Sequence, residues 1–245
     1  MYNYKLLIQY DGGRYKGWQR LGNNDNTIQW RIENVLSQLV RKQIEIVGSS
    51  RTDAGVHAIA QIANFKLDEH IPESEIMNYL NKYLPQDICI KEVQLVHENF
   101  HARYNVKEKT YLYKIWNNEY PNPFMRKYSM HVDKKLDIAK MEKASQYFIG
   151  SHDFTAFSNA KSGKKNMIRE IYSILLRESD GFIEICVSGN GFLHNMVRRI
   201  VGTLIAVGLC EIDPEYIPEI INSKNRNHSG YMADACGLYL EDVKF

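Results

Sequence analysis

The chain has 245 residues, 44% of them apolar and 24% charged, and a formal net charge of +2. That length and apolar share suffice for one large domain or two small ones and exclude a disordered chain, while no run approaches the ~20 apolar residues of a membrane helix. Met1-Tyr2-Asn3-Tyr4-Lys5 passes directly into Leu6-Leu7-Ile8 without the basic and then long apolar stretch of a signal peptide, so the expectation is a soluble, cytoplasmic protein with no membrane contact.

Residues 4–10 alternate as a strand, ended by Asp11-Gly12-Gly13 and the loop Arg14-Tyr15-Lys16-Gly17-Trp18-Gln19. Turn chemistry continues through Asn23-Asn24-Asp25-Asn26, and Thr27 is placed to cap a helix to about Arg41, whose stripe is Ile28, Ile32, Val35, Leu36 and Leu39. A strand over Gln43–Val47 then delivers the chain into Gly48-Ser49-Ser50-Arg51-Thr52-Asp53-Ala54-Gly55-Val56-His57-Ala58, and an apolar run over 59–65 leads it away. Pro72 precedes a second helix with Ile76, Tyr79, Leu80 and Tyr83 on one face, and Ile88–Val96 reads as a strand. From Lys109 to Trp116 the chain is again a strand, with Tyr111, Tyr113 and Ile115 on one face. A helix over 137–149, a hairpin of 168–177 with 182–188 about Ser179-Asp180-Gly181, an apolar helix over 192–207, a short helix over 217–221 and a strand over 238–243 complete it.

This order is β-α-β-β-α-β, twice. It predicts an α+β fold of two tandem ferredoxin-like halves sharing a mixed, mainly antiparallel sheet, residues 1–105 and 106–245. The warrant is pattern agreement, since the halves share no sequence identity.

The turn at 48–58 holds one carboxylate, Asp53. Such an aspartate serves most often to close a turn or cap a helix. Its company points elsewhere: a guanidinium two residues earlier, an imidazole four residues later, and glycines that allow a ligand close to the backbone. Other candidates divide in the same way. Arg198 starts from the apolar row of His194, Val201 and Ile205, and is either a snorkelling arginine or one that needs a carboxylate partner; Arg199, on the row of Asn195 and Thr203, reaches water more easily. Residues 101–170 carry 14 Lys and Arg against 7 Asp and Glu, and 171–245 carry 6 against 10. The basic stretch is either a solvated face or a seat for phosphates.

His97-Glu98-Asn99-Phe100-His101 matches the zinc-binding H-E-x-x-H, but lies between two strand-like runs with no helical stripe, so no metal is expected. Cys89, Cys186, Cys210 and Cys236 form no Cys-x-x-Cys pair, and most are expected as small core residues. No phosphate-cradling glycine loop, hydrolase serine elbow or deaminase signature is present.

Several blocks, in order, resemble the TruA-type tRNA pseudouridine synthases: Tyr10-Asp11-Gly12 with Gly17-Trp18-Gln19, Ser50 to Ala58, Phe100-His101-Ala102-Arg103, Tyr111-x-Tyr113, Gly191 to Arg198 and Gly237-Leu238-Tyr239-Leu240. The resemblance spans essentially the whole chain and implies the same two-half fold with a central RNA-binding cleft. Ser49-Ser50 stands where the family has a glycine-rich pair, and the 23–26 loop is slightly lengthened. By this resemblance Asp53 is the catalytic aspartate that isomerises uridine to pseudouridine, without cofactor or metal, at uridines thirty-eight to forty of the tRNA anticodon arm. Tyr111 stacks on the extruded uracil, Arg51 braces the vacated place, Arg198 pairs with Asp53, and Leu238 walls the base. His57, His101, Arg103, Lys107, Lys109 and Lys164 are the expected RNA contacts, and a homodimer is implied. A catalytically silent RNA-binding module on the same scaffold, or a paralogue acting on ribosomal RNA, is the alternative.

Overall fold

A computed structural model describes residues 1–22, 24–159 and 166–245. They form two compact units, Met1–Lys107 with Tyr239–Phe245, and Glu108–Leu238. The fold is mixed α+β, and the second unit repeats the first unit's order of strand, helix, two strands and helix, with short strands added.

In the first unit β1 (Tyr2–Tyr10), α1 (Ile28–Val40), β2 (Val47–Gly48), β3 (His57–Leu67), α2 (Glu73–Tyr83) and β4 (Ile88–Val96) follow one another. β1 lies between β4 and β3, antiparallel to both, and β2 pairs with β3 at Val47–Asn64 and Gly48–Ala63. The closing strand of the chain, Leu238–Lys244, runs parallel to β3 at Tyr239–His57 and Leu240–Ala58. Alternate residues of β1, Tyr4, Leu6 and Ile8, are fully buried, as are Ile28 and Ile32 of α1 and Ile76 and Leu80 of α2. Tyr83 departs from its expected inward face: it is exposed and packs its ring, tilted by 50°, against Tyr79.

The predicted strand over Gln43–Val47 is reduced to Val47–Gly48. The reason is where the backbone donors go. Ile44 N–H donates to Ser37 Oγ and Ile46 N–H to Glu33 Oε1, both side chains of α1, at 2.9 Å each. Glu33 is only 4% exposed, and also accepts from Gln29 Nε2 and Arg20 Nη1. One carboxylate thus ties the 17–20 loop, α1 and the segment entering the Asp53 turn together.

The second unit contains β5 (Glu108–Asn117), β6 (Met130–Val132), α3 (Ile138–Gln146), β7 (Gly150–Asp153), β8 (Ile168–Ser179), β9 (Phe182–Gly189), α4 (Met196–Gly208) and α5 (Ile217–Ser223). The closing strand is β10. β9 lies between β5 and β8, antiparallel to both; β7 adds to β8 and β6 runs parallel to β5. Asp180 and Gly181 both take positive φ, 52° and 79°, which makes the β8–β9 connection the two-residue turn that Asp-Gly favours. Tyr113, Ile115, Met141, Phe148, Ile185 and Leu204 are among its fully buried residues. α4 begins at Met196 rather than Phe192, because Asn195 adopts a left-handed conformation (φ 61°) that breaks the helical path. The cysteines are not core residues: Cys210 is exposed and the other three are half-buried. Among the described residues no helix is long and apolar enough to cross a membrane.

Replacing Glu33 by Ala leaves Ile46 N–H without its acceptor and takes one of Arg20's two carboxylates, leaving it Glu45. Chemical denaturation is expected to show a loss of about 2–3 kcal/mol, and an unchanged unfolding midpoint would contradict the role assigned to this carboxylate.

Candidate active site

The Asp53 turn is built by close backbone approach. Val56 N–H donates to Asp53 O at 3.2 Å, and Gly55, third in that four-residue turn, takes φ 80°, as a type II turn requires. Trp18 N–H donates to Thr52 O at 3.0 Å. Gly17, at φ 97°, lies so near that a Cβ there would stand 2.7 Å from Thr52 O and 3.1 Å from Asp53 C. The Trp18 ring, 1% exposed, lies under Gly48, where a Cβ would come within 2.5 Å of it. Only glycine fits at either place.

Side chains complete the frame. Tyr10 Oη and Thr52 Oγ1 share a hydrogen bond of 2.7 Å. Ser49 Oγ and Ser50 N donate to Gln61 Oε1, and Gln61 Nε2 donates back to Ser50 O. Ser49, Ser50 and Gln61 are all buried. The two serines that stand in place of a glycine pair therefore brace the turn from inside. Within this frame Asp53 is half-buried and Arg51 is exposed at the rim.

His57, expected as an RNA contact, lies inside the unit. Its ring is 2% exposed, stacked on Tyr239 with centroids 4.8 Å apart, and its Nδ1 lies 3.1 Å from Asp11 Oδ1 and 3.2 Å from Gly12 N. It locks the end of β1 to β10.

Residues 97–101 form a turn, not a helix, so the two imidazoles do not share a helical face. His97 Nδ1 accepts from Asn99 N, and His101 Nδ1 accepts from Arg103 N and Tyr104 N. A buried pair, Asn3 and Asn64, fastens this turn to the sheet: Asn3 Nδ2 donates to Phe100 O at 2.9 Å and Ala102 N–H to Asn64 Oδ1 at 2.9 Å. Arg103 is exposed beside it, and Tyr104, 75% exposed, stacks on His101. Lys107 is exposed and holds β10 by donating its N–H to Lys244 O.

In the second unit Tyr111 lies on β5, buried, with Phe192 edge-on to its ring at 5.2 Å. Breakage of the helix at Asn195 is what frees Phe192 to reach it. Arg198 is half-buried on α4; Nε donates to Ala233 O at 2.7 Å and Nη1 makes a long 3.5 Å contact to Asn195 Oδ1, so its partners within the unit are neutral. Leu238 is buried at the start of β10, after Gly237, where a Cβ would stand 2.7 Å from the Tyr113 ring. Lys109 is half-buried, opposite Gly189. Lys164, with Lys161 and Lys165, lies outside the described residues.

The family model described as tRNA pseudouridine synthase matches residues 6–105 and 144–245. The chain belongs to the tRNA pseudouridine synthase family. It is 64% identical over its whole length to tRNA pseudouridine synthase A 2 of Bacillus cereus (strain ZK / E33L), and 62% identical to tRNA pseudouridine synthase A of Bacillus sp. (strain KSM-64), covering all of both proteins. The corresponding protein of Acetivibrio thermocellus is 44% identical, again over the full length of both. Among solved structures, a chain of a Cbf5-Nop10-Gar1 complex matches at 11% identity and a TM-score of 0.33, over 82% of this chain and 54% of that one, too low to bear on the fold.

Gln61 and Tyr104 escaped the sequence reading. A single glutamine inside the apolar run 59–65 is the signal that marks Gln61; nothing in the sequence separates Tyr104 from an ordinary loop tyrosine.

Gly17→Ala forces a side chain into left-handed backbone against the Asp53 peptide. Stability should fall by roughly 1–3 kcal/mol, and turnover, measured well below the melting temperature, should fall further than unfolding accounts for. Wild-type turnover in a destabilised Gly17→Ala protein would show that the frame does not position Asp53.

Proposed function

We propose that the chain isomerises uridine to pseudouridine in tRNA, at uridines thirty-eight to forty of the anticodon arm, as a cytoplasmic homodimer needing neither cofactor nor metal. Full-length likeness to tRNA pseudouridine synthases A carries the reading. The reaction breaks C1′–N1, turns the uracil and joins C1′ to C5. The hydrogen on C5 leaves to water as a proton, N1 takes one up, and no electrons are gained or lost.

In this reading Asp53 is the catalytic group. What supports it is the turn: a half-buried carboxylate, whose peptide is fixed on both sides by hydrogen bonds and close glycine contacts, is held to the tolerance that a reaction at a ribose carbon demands. In the same reading Arg198 pairs with Asp53, and its Nε bond to Ala233 O fixes the guanidinium for that purpose. The target base must leave its stack, which costs a few kcal/mol. Tyr111, steadied by Phe192, returns part of that cost by stacking on the uracil, with Leu238 packing against it and Arg51 filling the vacated place. His101, Arg103, Lys107, Lys109 and Lys164 meet RNA phosphates.

Release of tritium from C5-labelled uridine tests the reading. Wild type is expected to release tritium from unmodified tRNA, undiminished by EDTA, and Asp53→Asn to release none. Release from ribosomal RNA alone would move the substrate; no release from either would replace the enzyme by a binding module. In the same assay Tyr111→Phe should keep most of the activity, while Tyr111→Ala forfeits roughly 1–3 kcal/mol of base stacking. Equal rates for the three proteins would remove Tyr111 from the site. Arg198→Met should lose both turnover and stability, and normal values for both would refute its pairing with Asp53.

A further inference from the structure

α4 carries a second arginine that the proposed reaction does not use. Arg199 was expected to reach water. It is instead half-buried, and its Nε donates to Asn159 Oδ1 at 3.2 Å and its Nη1 to Ser229 Oγ at 3.3 Å. Arg226 Nη1 donates to the same Asn159 Oδ1 at 3.2 Å. Two guanidinium groups therefore converge on one neutral oxygen, and among the described residues neither meets a carboxylate. Burial first, and then the Arg226 charge, pull Arg199 below its ordinary pKa. Like charges brought this close, one of them partly out of water and neither with an acidic partner among the described residues, cost stability unless an anion joins them.

The approach is enforced by the backbone, not by side-chain chance. A Cβ on Gly202 of α4 would stand 1.8 Å from Tyr231 O, and one on Gly230 would stand 2.6 Å from Thr203 Cα. Gly230 N–H donates to Thr203 Oγ1 at 2.9 Å, and Ala233 N–H donates to Arg198 O at 3.1 Å. The segment after Arg226 is thus laid flat on α4, and Ser229 Oγ, donating to Arg226 O at 2.8 Å, fixes the turn that carries Arg226. On the other side Asn159 N–H donates to His194 O, which sets the amide between the two arginines.

We propose that Arg199, Arg226 and Asn159 form a preorganised seat for one phosphodiester of the tRNA, separate from the Asp53 chemistry. Two planar donor forks around one point suit a phosphate's tetrahedral oxygens better than any carboxamide. In the free protein the Asn159 oxygen stands in for a phosphate oxygen; with RNA bound, the guanidinium groups turn to the phosphate. The seat rests on the reading of the chain as a tRNA-binding enzyme.

Binding of unmodified tRNA to wild type, Arg226→Gln, Arg199→Gln and the double variant, measured by fluorescence anisotropy across a salt series, tests it. Each single variant should bind about tenfold more weakly, with a salt slope shallower by about one. The double variant should fall well short of the hundredfold product, because both arginines hold one phosphate. Arg226→Gln, an exposed change that relieves repulsion, should melt no lower than wild type. Single variants that bind within twofold of wild type, or with its salt slope, would overturn the seat, as would a full hundredfold loss in the double variant or a lower melting temperature for Arg226→Gln. Those results with wild type still binding tRNA would overturn the seat alone; failure of wild type to bind tRNA would overturn the functional reading with it.

Discussion

The contact on which the first unit depends is the meeting of two peptides, Gly17-Trp18 and Thr52-Asp53. A single N–H to carbonyl bond of 3.0 Å joins them, yet much of the surrounding sequence serves to permit it. Gly17 and Gly48 remove the side chains that would block it, and the Trp18 ring fills the space below. Ile28 N–H and Gln29 N–H donate back to Gly17 O and Trp18 O, so the start of α1 is docked on the same loop. Glu33, one turn further along α1, then holds the segment that enters the Asp53 turn. Two blocks far apart in the chain, 17–20 and 48–56, are in this way one structural object, which explains why they carry the family resemblance together.

The second unit solves a comparable problem with the same device. A stretch without regular structure, 229–233, is held against α4 by small residues and a few backbone bonds, and the arginines on and beside α4 take their positions from it. In both units glycine serves close approach rather than flexibility. A rigid backbone is what lets charged side chains sit partly out of water in fixed places.

Much of the fold could be read from apolar period and turn chemistry. The stripe from Ile28 to Leu36, the alternation in β1 and β5, and Asp180-Gly181 each mark their elements because local preference and tertiary burial agree there. The failures lie where side chains overrule that pattern. Gln43–Ile46 alternates like a strand but gives its backbone donors to Ser37 and Glu33. Phe192–Asn195 has helical hydrophobicity, and a left-handed Asn195 ends it. β6 and β7, of three and four residues, are too short for a period to register. At the candidate site Asp53 stands out through its neighbours, whereas the burial of His57 against Tyr239 does not, since a histidine beside a Gly-rich turn reads alike in either setting. The pairing of Arg199 with Arg226 is illegible in the sequence because twenty-seven residues separate them, a separation only the folded 229–233 segment closes.

The proposed reaction depends on position, with the frame around Asp53 holding its carboxylate for attack at the ribose. Asp53→Glu tests it most directly, because the charge stays and moves by one methylene. Pseudouridine formed in unmodified tRNA should be counted alongside tRNA affinity and melting temperature. The Glu variant is expected to fold and bind like wild type yet form no detectable pseudouridine. Formation at near the wild-type rate would contradict it, for it would mean that the carboxylate matters and the frame around it does not.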